Sequence, residues 1–316
     1  MSEQLSPAGP PVDAPIAPIV VRADVADALA AGRPVVALES TIISHGLPKD
    51  SGFEVAGQIE QAVRDGGATP ATIALFDGTA HIGLDEQQRR ELVDTPEVAK
   101  ASIRDLPMVL ATRAVGATTV AATSYLAVKA GIEVFATGGL GGVHREAADS
   151  WDESADLYAL GQIPITVVCA GAKSILDIPA TLERLESLSV GVVGYRTDVF
   201  PGFYVSRTDH PVPWTVNTPD ELAALVRVRR ELGLPQGLVV ANPIAEDRQL
   251  DPAVHDAVLA EALEGLQRNN ISGKDVTPYL LAYFHEHTEG ASLRANIDLV
   301  LANARLAAEL AAAAAG

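Results

Sequence analysis

The sequence predicts an α/β protein built of packed layers, and three observations carry that prediction. Short apolar runs recur along the chain, too short for helices and bounded by Gly, Pro, Asn or Asp. Stretches with helical spacing separate them, which is the alternation expected of strands covered by helices. Hydrophobic residues make up 48% of the 316, enough for a sizeable core. No internal repeat interrupts this pattern.

In chain order, Met1 to Pro18 is rich in Pro and Ala and is expected to be a disordered leader, followed by one α/β domain over 19–310. Val20 to Ala31 has helical spacing and stops at Gly32. Pro34 to Glu39 is a strand that ends in a carboxylate, and Ser40 to Pro48 follows as a loop. Phe53 to Gly66 is an amphipathic helix. Ala71 to Phe76 is a strand, Asp77-Gly78 turns it, and Thr79 to Leu84 returns, so the sheet contains an antiparallel hairpin. Asp85 to Val93 is a short helix, Lys100 lies in a polar connection, and Leu106 to Thr112 is apolar but ambiguous. Gly116 opens a helix that runs to Ala130, and Ile132 to Thr137 is a strand. Ile165 to Ala170 is a continuous apolar run, the mark of a strand buried on both faces. Helices follow over Pro179–Leu188, Thr218–Leu232, Pro252–Asn269, Tyr279–Thr288 and Leu293–Leu310, with strands at Val190–Gly194 and Gly237–Ile244. The aromatic stretch Tyr195 to Tyr204 is a loop that either frames a planar ring or fills a domain seam, the seam being favoured, and Ser272 to Pro278 is another loop. Beyond Leu310 the alanines are expected to fray into a tail, 311–316.

Charge narrows the partners. Forty-one acids against 23 Lys plus Arg give a net charge of −18. That excludes a nucleic-acid backbone or an anionic membrane as the main partner, while a phosphorylated small molecule can still find a local basic pocket. No run reaches the ~18–20 apolar residues of a membrane span. The N-terminus lacks the basic and apolar regions of a secretory signal. Cys169 is the single cysteine, so no disulfide forms within the chain, as suits a reducing, cytoplasmic setting. Its place inside an apolar strand makes it a packing residue.

Four places carry chemistry. Gly171 and Ala172 follow the apolar strand, then Lys173, with Ser174 placed to cap a helix and Asp177 in its first turn. Ligands bind at the C-terminal ends of strands in open α/β sheets. A lysine desolvated there becomes a neutral nucleophile able to form a Schiff base with a sugar carbonyl. The same lysine also suits a surface position that snorkels to water. Glu39 ends its own strand, either as an acid–base group or as the cap of the next turn. Gly116-Ala-Thr-Thr-Val120 offers free backbone N–H groups to an anion, or is ordinary capping. Gly138-Gly-Leu-Gly-Gly142 brings backbone close to a ligand, though it is neither G-x-G-x-x-G nor a P-loop. His144, Asp152, Glu153 and Asp156 lie just beyond it. They suit a divalent cation held by oxygens and waters, or a capping box at Ser154.

These residues sit in longer stretches: VALESTIISHGLP, GATPATIALFDGTAHIGL, RDLP, GATTVAAT, VFATGGLGGVHR, DESADL, ITVVCAGAKSIL, GLVVANPI and SLRANIDLVLANA. In these the chain closely resembles the pseudouridine-5′-phosphate glycosidases, the family that includes indigoidine synthase A-like proteins. The resemblance runs from about Pro34 to Ala304 and departs at Lys49 to Gly52, where the family loop is longer, and in the extra leader. It implies a three-layer α/β/α fold around a largely buried mixed sheet, a homotrimer, and the interconversion of pseudouridine 5′-phosphate and water with uracil and ribose 5-phosphate. By position, it implies that Lys173 is the nucleophile and Glu39 the proton donor. It makes Asp152 the ligand of a divalent metal, usually manganese. Lys100, the backbone of Val120, Ser154, Ala155 and Asp156 hold substrate, and His144 and Asn296 fall in the pocket. Two other readings stay open: action on a different C- or N-riboside phosphate, and a phosphosugar-binding regulator, which would be expected to have lost Lys173 or Glu39.

Overall fold

The computed structural model describes residues 19–315, apart from 48, 146, 270 and 272–275. The expected leader, and residues 272–275 of the expected loop, lie outside the described residues. The single helix expected over Val20–Ala31 is two elements, strand β1 (Ile19–Val21) and helix α1 (Ala23–Ala30). The β-branched Ile19-Val20-Val21 run favours the pleated strand, and Arg22 separates it from the helix. β2 (Val35–Leu38) is buried throughout, and the segment after Glu39 is not a loop but a short helix, α2 (Thr41–His45). Then come α3 (Lys49–Asp65), β3 (Thr69–Phe76), β4 (Thr79–Ile82) and α4 (Glu86–Asp94), the last opened by a capping box between Asp85 and Gln88.

Lys100 is not in a polar connection; it lies on β5 (Ala99–Ala101). The ambiguous apolar stretch is α5 (Leu106–Ala111). Gly116–Thr118 is strand β6 rather than a helix start, because it pairs parallel with β5 and antiparallel with β3. Helix α6 (Val120–Lys129) begins after it, with Thr119 as its N-cap. The remaining elements are β7 (Val134–Ala136), α7 (Ala147–Ser150), α8 (Ala155–Leu160), β8 (Thr166–Cys169), α9 (Ile178–Ser187), β9 (Gly191–Tyr195), β10 (Thr215–Val216), α10 (Pro219–Glu231), β11 (Leu238–Ala241), α11 (Pro252–Arg268), α12 (Val276–His287) and α13 (Ala291–Ala315). Asp177, not Ser174, caps α9, its side chain accepting from the Ala180 amide at 3.0 Å. The last helix does not fray after Leu310: Leu310 and Ala311 are buried and α13 continues to Ala315.

The sheet runs β1-β4-β3-β2-β7-β8-β11-β9-β10, with β6 and β5 branching from β3. Only the β3–β4 and β3–β6 pairings are antiparallel, so the sheet is mixed but dominated by parallel pairs. Helices α3, α10 and α13 form one layer over it, and α1, α6 and α8 cover the other side. The α3–α13 contact is close: a Cβ at Gly66 would stand 2.6 Å from that of Ala308. From β2 the chain crosses to β3 on one side, and from β7 to β8 on the other. The β2–β7 boundary is therefore a topological switch point, where diverging connections leave a crevice beyond the strand ends.

Asn303 on α13, fully buried, ties this boundary together. Its Nδ2 donates to the Thr137 carbonyl at 2.8 Å, and its Oδ1 accepts from Asn242 Nδ2 beyond β11 at 2.9 Å. The aromatics Phe200, Phe203 and Tyr204 are at most 3% exposed and join the core. Among the described residues no helix is long and apolar enough to cross a membrane.

Candidate active site at the strand switch point

Strand ends place the central groups. Leu38 ends β2 and Glu39 follows; Ala136 ends β7 and Thr137 follows. Glu39 is buried, which would be costly for an unpartnered carboxylate. Its two oxygens each accept a hydroxyl, one from Thr41 and one from Thr137. Hydrogen bonds to a charged acceptor contribute about 1.5–3 kcal/mol each and offset the desolvation. Thr41 is available because α2 turns back at once over the end of β2.

Lys173 arrives by a tight path. Beyond Cys169 the chain turns at Gly171, whose φ of +84° and whose Cβ position, 2.0 Å from the Pro201 carbonyl oxygen, admit no side chain. The amide of Lys173 then donates to the Leu140 carbonyl at 3.1 Å. Its side chain enters a half-open pocket walled by Glu39, Thr41, His45, Lys100 and Asn296, with Phe203 and the Gly138–Gly139 backbone. The structure thus brings Glu39, Lys100, Lys173 and Asn296 together, as expected for a shared pocket. Asn296 is 5% exposed and its Oδ1 has no partner among the described residues, so an acceptor waits in the cavity wall.

The second group adjoins this cavity without lining it. Asp156 is buried and its two carboxylate oxygens accept from the Ala121 amide at 3.0 Å and the Gly141 amide at 2.9 Å. Ser154 caps α8 by accepting from the Asp156 amide, without the capping box considered from sequence. Ala155 begins that helix. At the start of α6, Asp156 occupies the Ala121 amide and Thr119 that of Ala122, while Val120 N–H takes no partner among the described residues. One backbone donor at a helix N-terminus is left for an anion.

The glycine-rich loop divides between the cavity and internal packing. A Cβ at Gly139 would meet the Phe203 ring at 2.6 Å, one at Gly141 the Ser154 hydroxyl at 2.2 Å, and one at Gly142 the Thr181 hydroxyl at 2.3 Å. These glycines let the loop pack against its own protein; Gly138 and Gly139 alone reach the cavity. His144 and Asp152 lie further along. The His144 amide donates to the Asp152 carbonyl at 3.0 Å, and His144 Nδ1 is 3.9 Å from the Asp152 carboxylate. No cluster of three His, Cys, Asp or Glu suited to a metal occurs among the described residues.

The cavity is basic on one side. Burial, then the neighbouring Lys173 ammonium, lowers the pKa of Lys100, with Asp156 and Glu39 opposing. Burial and the Lys100 charge lower that of His45, whose Nδ1 is 2.7 Å from Ser44 Oγ. Cys169 takes no part: burial pushes its thiol up to about 12. Sequence reasoning missed Thr41, Thr137 and His45 as site residues. His45 had a signal in its position six residues after Glu39; the threonines had none until the strand ends were placed. A larger, mostly apolar groove between α10 and Trp214 lies at the opposite ends of β9 and β11, away from these groups.

The model of the indigoidine synthase A like protein family matches residues 24–313. Pseudouridine-5′-phosphate glycosidase from Salinispora tropica is 59% identical over 293 residues, covering 92% of this chain and 90% of that protein. The protein of the same name from Streptomyces griseus is 57% identical over 297 residues, covering 94% and 92%. The crystal structure of the prealnumycin C-glycosynthase AlnA in complex with ribulose 5-phosphate superposes with a TM-score of 0.87 at 39% identity, covering 94% of this chain and 97% of that one. An indigoidine synthase A-like protein from Thermotoga maritima gives 0.82 at 34% identity, covering 89% and 93%.

The Lys100–Lys173 coupling makes a titration prediction. With Lys173→Gln one cation leaves, so the protonated form of Lys100 is favoured and its pKa rises. NMR of isotope-labelled lysine side chains should show Lys100 titrating at higher pH in the variant than in the parent protein; an unchanged midpoint would show that the two amines do not interact.

Proposed function

The chain belongs to the indigoidine synthase A-like family, and on that premise we propose that it is a pseudouridine-5′-phosphate glycosidase working through an imine on Lys173. The observation that carries the proposal is a single cavity at the switch point holding a carboxyl group, two amines and an unpartnered carboxamide oxygen, in a chain 59% identical to a glycosidase of that name.

The bond to be cleaved joins ribose C1′ to uracil C5. The two-carboxylate route of ordinary glycosidases protonates a leaving oxygen, and this bond has none. A lysine solves the problem. The C1′–O4′ bond opens, O4′ takes a proton, and the Lys173 amine bonds to C1′, losing a proton. The nitrogen lone pair then forms C1′=N as the C1′–C5 bond breaks, and C5 takes a proton from Glu39, releasing uracil. Water adds to the imine, restores the amine and frees ribose 5-phosphate. Lys100, in the cavity wall, holds the phosphate and Asn296 offers its oxygen to a donor on the substrate, while the Val120 N–H is assigned to the substrate by resemblance to the family.

Asp152 is assigned to a divalent cation, manganese by resemblance to the family. One partly exposed carboxylate beside an imidazole fits a hard ion that keeps most of its waters, not a closed protein cage. Such an ion would supply positive charge beside the anionic substrate. The protein is further proposed to assemble as a homotrimer.

A second reading is favoured by the glycosynthase neighbour: a cavity of this shape serving another riboside phosphate. Both groups of present residues argue against a retired, purely binding module, since Glu39 and Lys173 face one cavity.

The assay follows uracil released from pseudouridine 5′-phosphate, with uridine 5′-phosphate in parallel. Uracil should appear from the first substrate only, stop on exhaustive chelation and return with manganese better than with calcium. Release from uridine 5′-phosphate alone would transfer the assignment to an N-riboside; full turnover in chelated, metal-free enzyme would remove the metal from the account. Light scattering at micromolar concentration should give about three times the 32.9 kDa chain mass, and a monomer would refute the trimer.

A further inference from the structure

We propose that Thr137 is a positioning residue for Glu39, and that its hydroxyl holds the carboxyl group in both of the protonation states that proton transfer requires. The inference rests on the proposed glycosidase reading and adds a residue to it.

The geometry is specific. Thr137 is fully buried one residue beyond β7, and Glu39 one residue beyond β2, the neighbouring strand across the switch point. The backbone of Thr137 is already satisfied: its amide donates to the Val168 carbonyl at 3.0 Å, and its carbonyl accepts from Asn303 Nδ2 at 2.8 Å. Its hydroxyl is therefore not needed to close the backbone ladder, and its one partner among the described residues is the Glu39 carboxylate. Asn303 fixes Thr137, and Thr137 fixes Glu39, so the connection runs from α13 to the acid through two hydrogen bonds.

Residue type matters here. A hydroxyl has one donor hydrogen and two lone pairs, and it rotates. It donates to Glu39 while the carboxylate is ionised, and can accept from Glu39 when the group carries its proton. Giving that proton to carbon and regaining it from water then needs a rotation of O–H bonds, not movement of the side chain. An ammonium in the same place would favour only the ionised acid, and a carbonyl only the protonated one. Thr41 holds the second carboxylate oxygen in the same way, but from a five-residue helix and not from the end of a sheet strand. Thr137, anchored to the sheet, sets the direction.

Thr137→Val keeps the shape and deletes the hydroxyl; Thr137→Ser keeps the hydroxyl. With pseudouridine 5′-phosphate, Thr137→Val should lower kcat about 10- to 100-fold with KM within about twofold, the scale of a misplaced catalytic group, and Thr137→Ser should recover most of it. A second readout does not require turnover. The antisymmetric carboxylate stretch of Glu39, isolated as the infrared difference between each protein and its Glu39→Gln counterpart, should move in Thr137→Val and stay in place in Thr137→Ser. An unmoved band in folded Thr137→Val, or kcat equal to that of the parent enzyme, overturns the inference. A parent enzyme that releases no uracil, with the band still moving, would defeat the glycosidase reading while leaving the hydroxyl–carboxylate link standing.

Discussion

Everything at this site depends on the reversal of strand order between β2 and β7. Two adjacent parallel strands whose chains leave in opposite directions cannot have their C-terminal ends covered by their own crossovers. The crevice that results is not carved by side chains; it is a consequence of connectivity, and the sheet core maintains it. Burial of β2, β7 and β8 on both faces fixes their register, so Glu39, Thr137 and the turn to Lys173 emerge at one level. Asn303 and Asn242 then lock the strand ends to α13 and to each other.

The electrostatics follow from that placement. An acidic chain gathers two lysines and a histidine around one buried carboxyl group; burial and then the Lys173 charge lower the pKa of Lys100, as burial and then the Lys100 charge lower that of His45. Net charge thus says little about the pocket. The field there is set by a few groups in a partly desolvated space.

Much of the site was legible in the sequence because strand ends are legible. Ile165 to Ala170 announces a buried strand, and Lys173 is the first charge after it; Pro34 to Leu38 does the same for Glu39. What stayed hidden depended on partners distant in sequence. Gly116–Thr118 has helix-start chemistry and becomes β6 because β3 and β5 need a neighbour. Ile19–Val21 becomes a strand because β4 has a free edge. The glycines at 141 and 142 look like a ligand cradle, yet they are small because Ser154 and Thr181 press on them. Thr137 lies 98 residues from the carboxylate it holds, beyond any local pattern.

The central claim is that Lys173, rather than the second amine of the cavity, bonds to sugar carbon. The imine half-reaction is reversible, so ribose 5-phosphate alone should form it, and borohydride should reduce it to a stable amine. Mass spectrometry of the trapped, digested protein is the direct measurement. The account predicts one sugar adduct, on the peptide that contains Lys173, absent in Lys173→Ala and in Lys173→Arg, whose guanidinium stays protonated. An adduct on Lys100 in the parent protein, or an active enzyme that never traps, would contradict it.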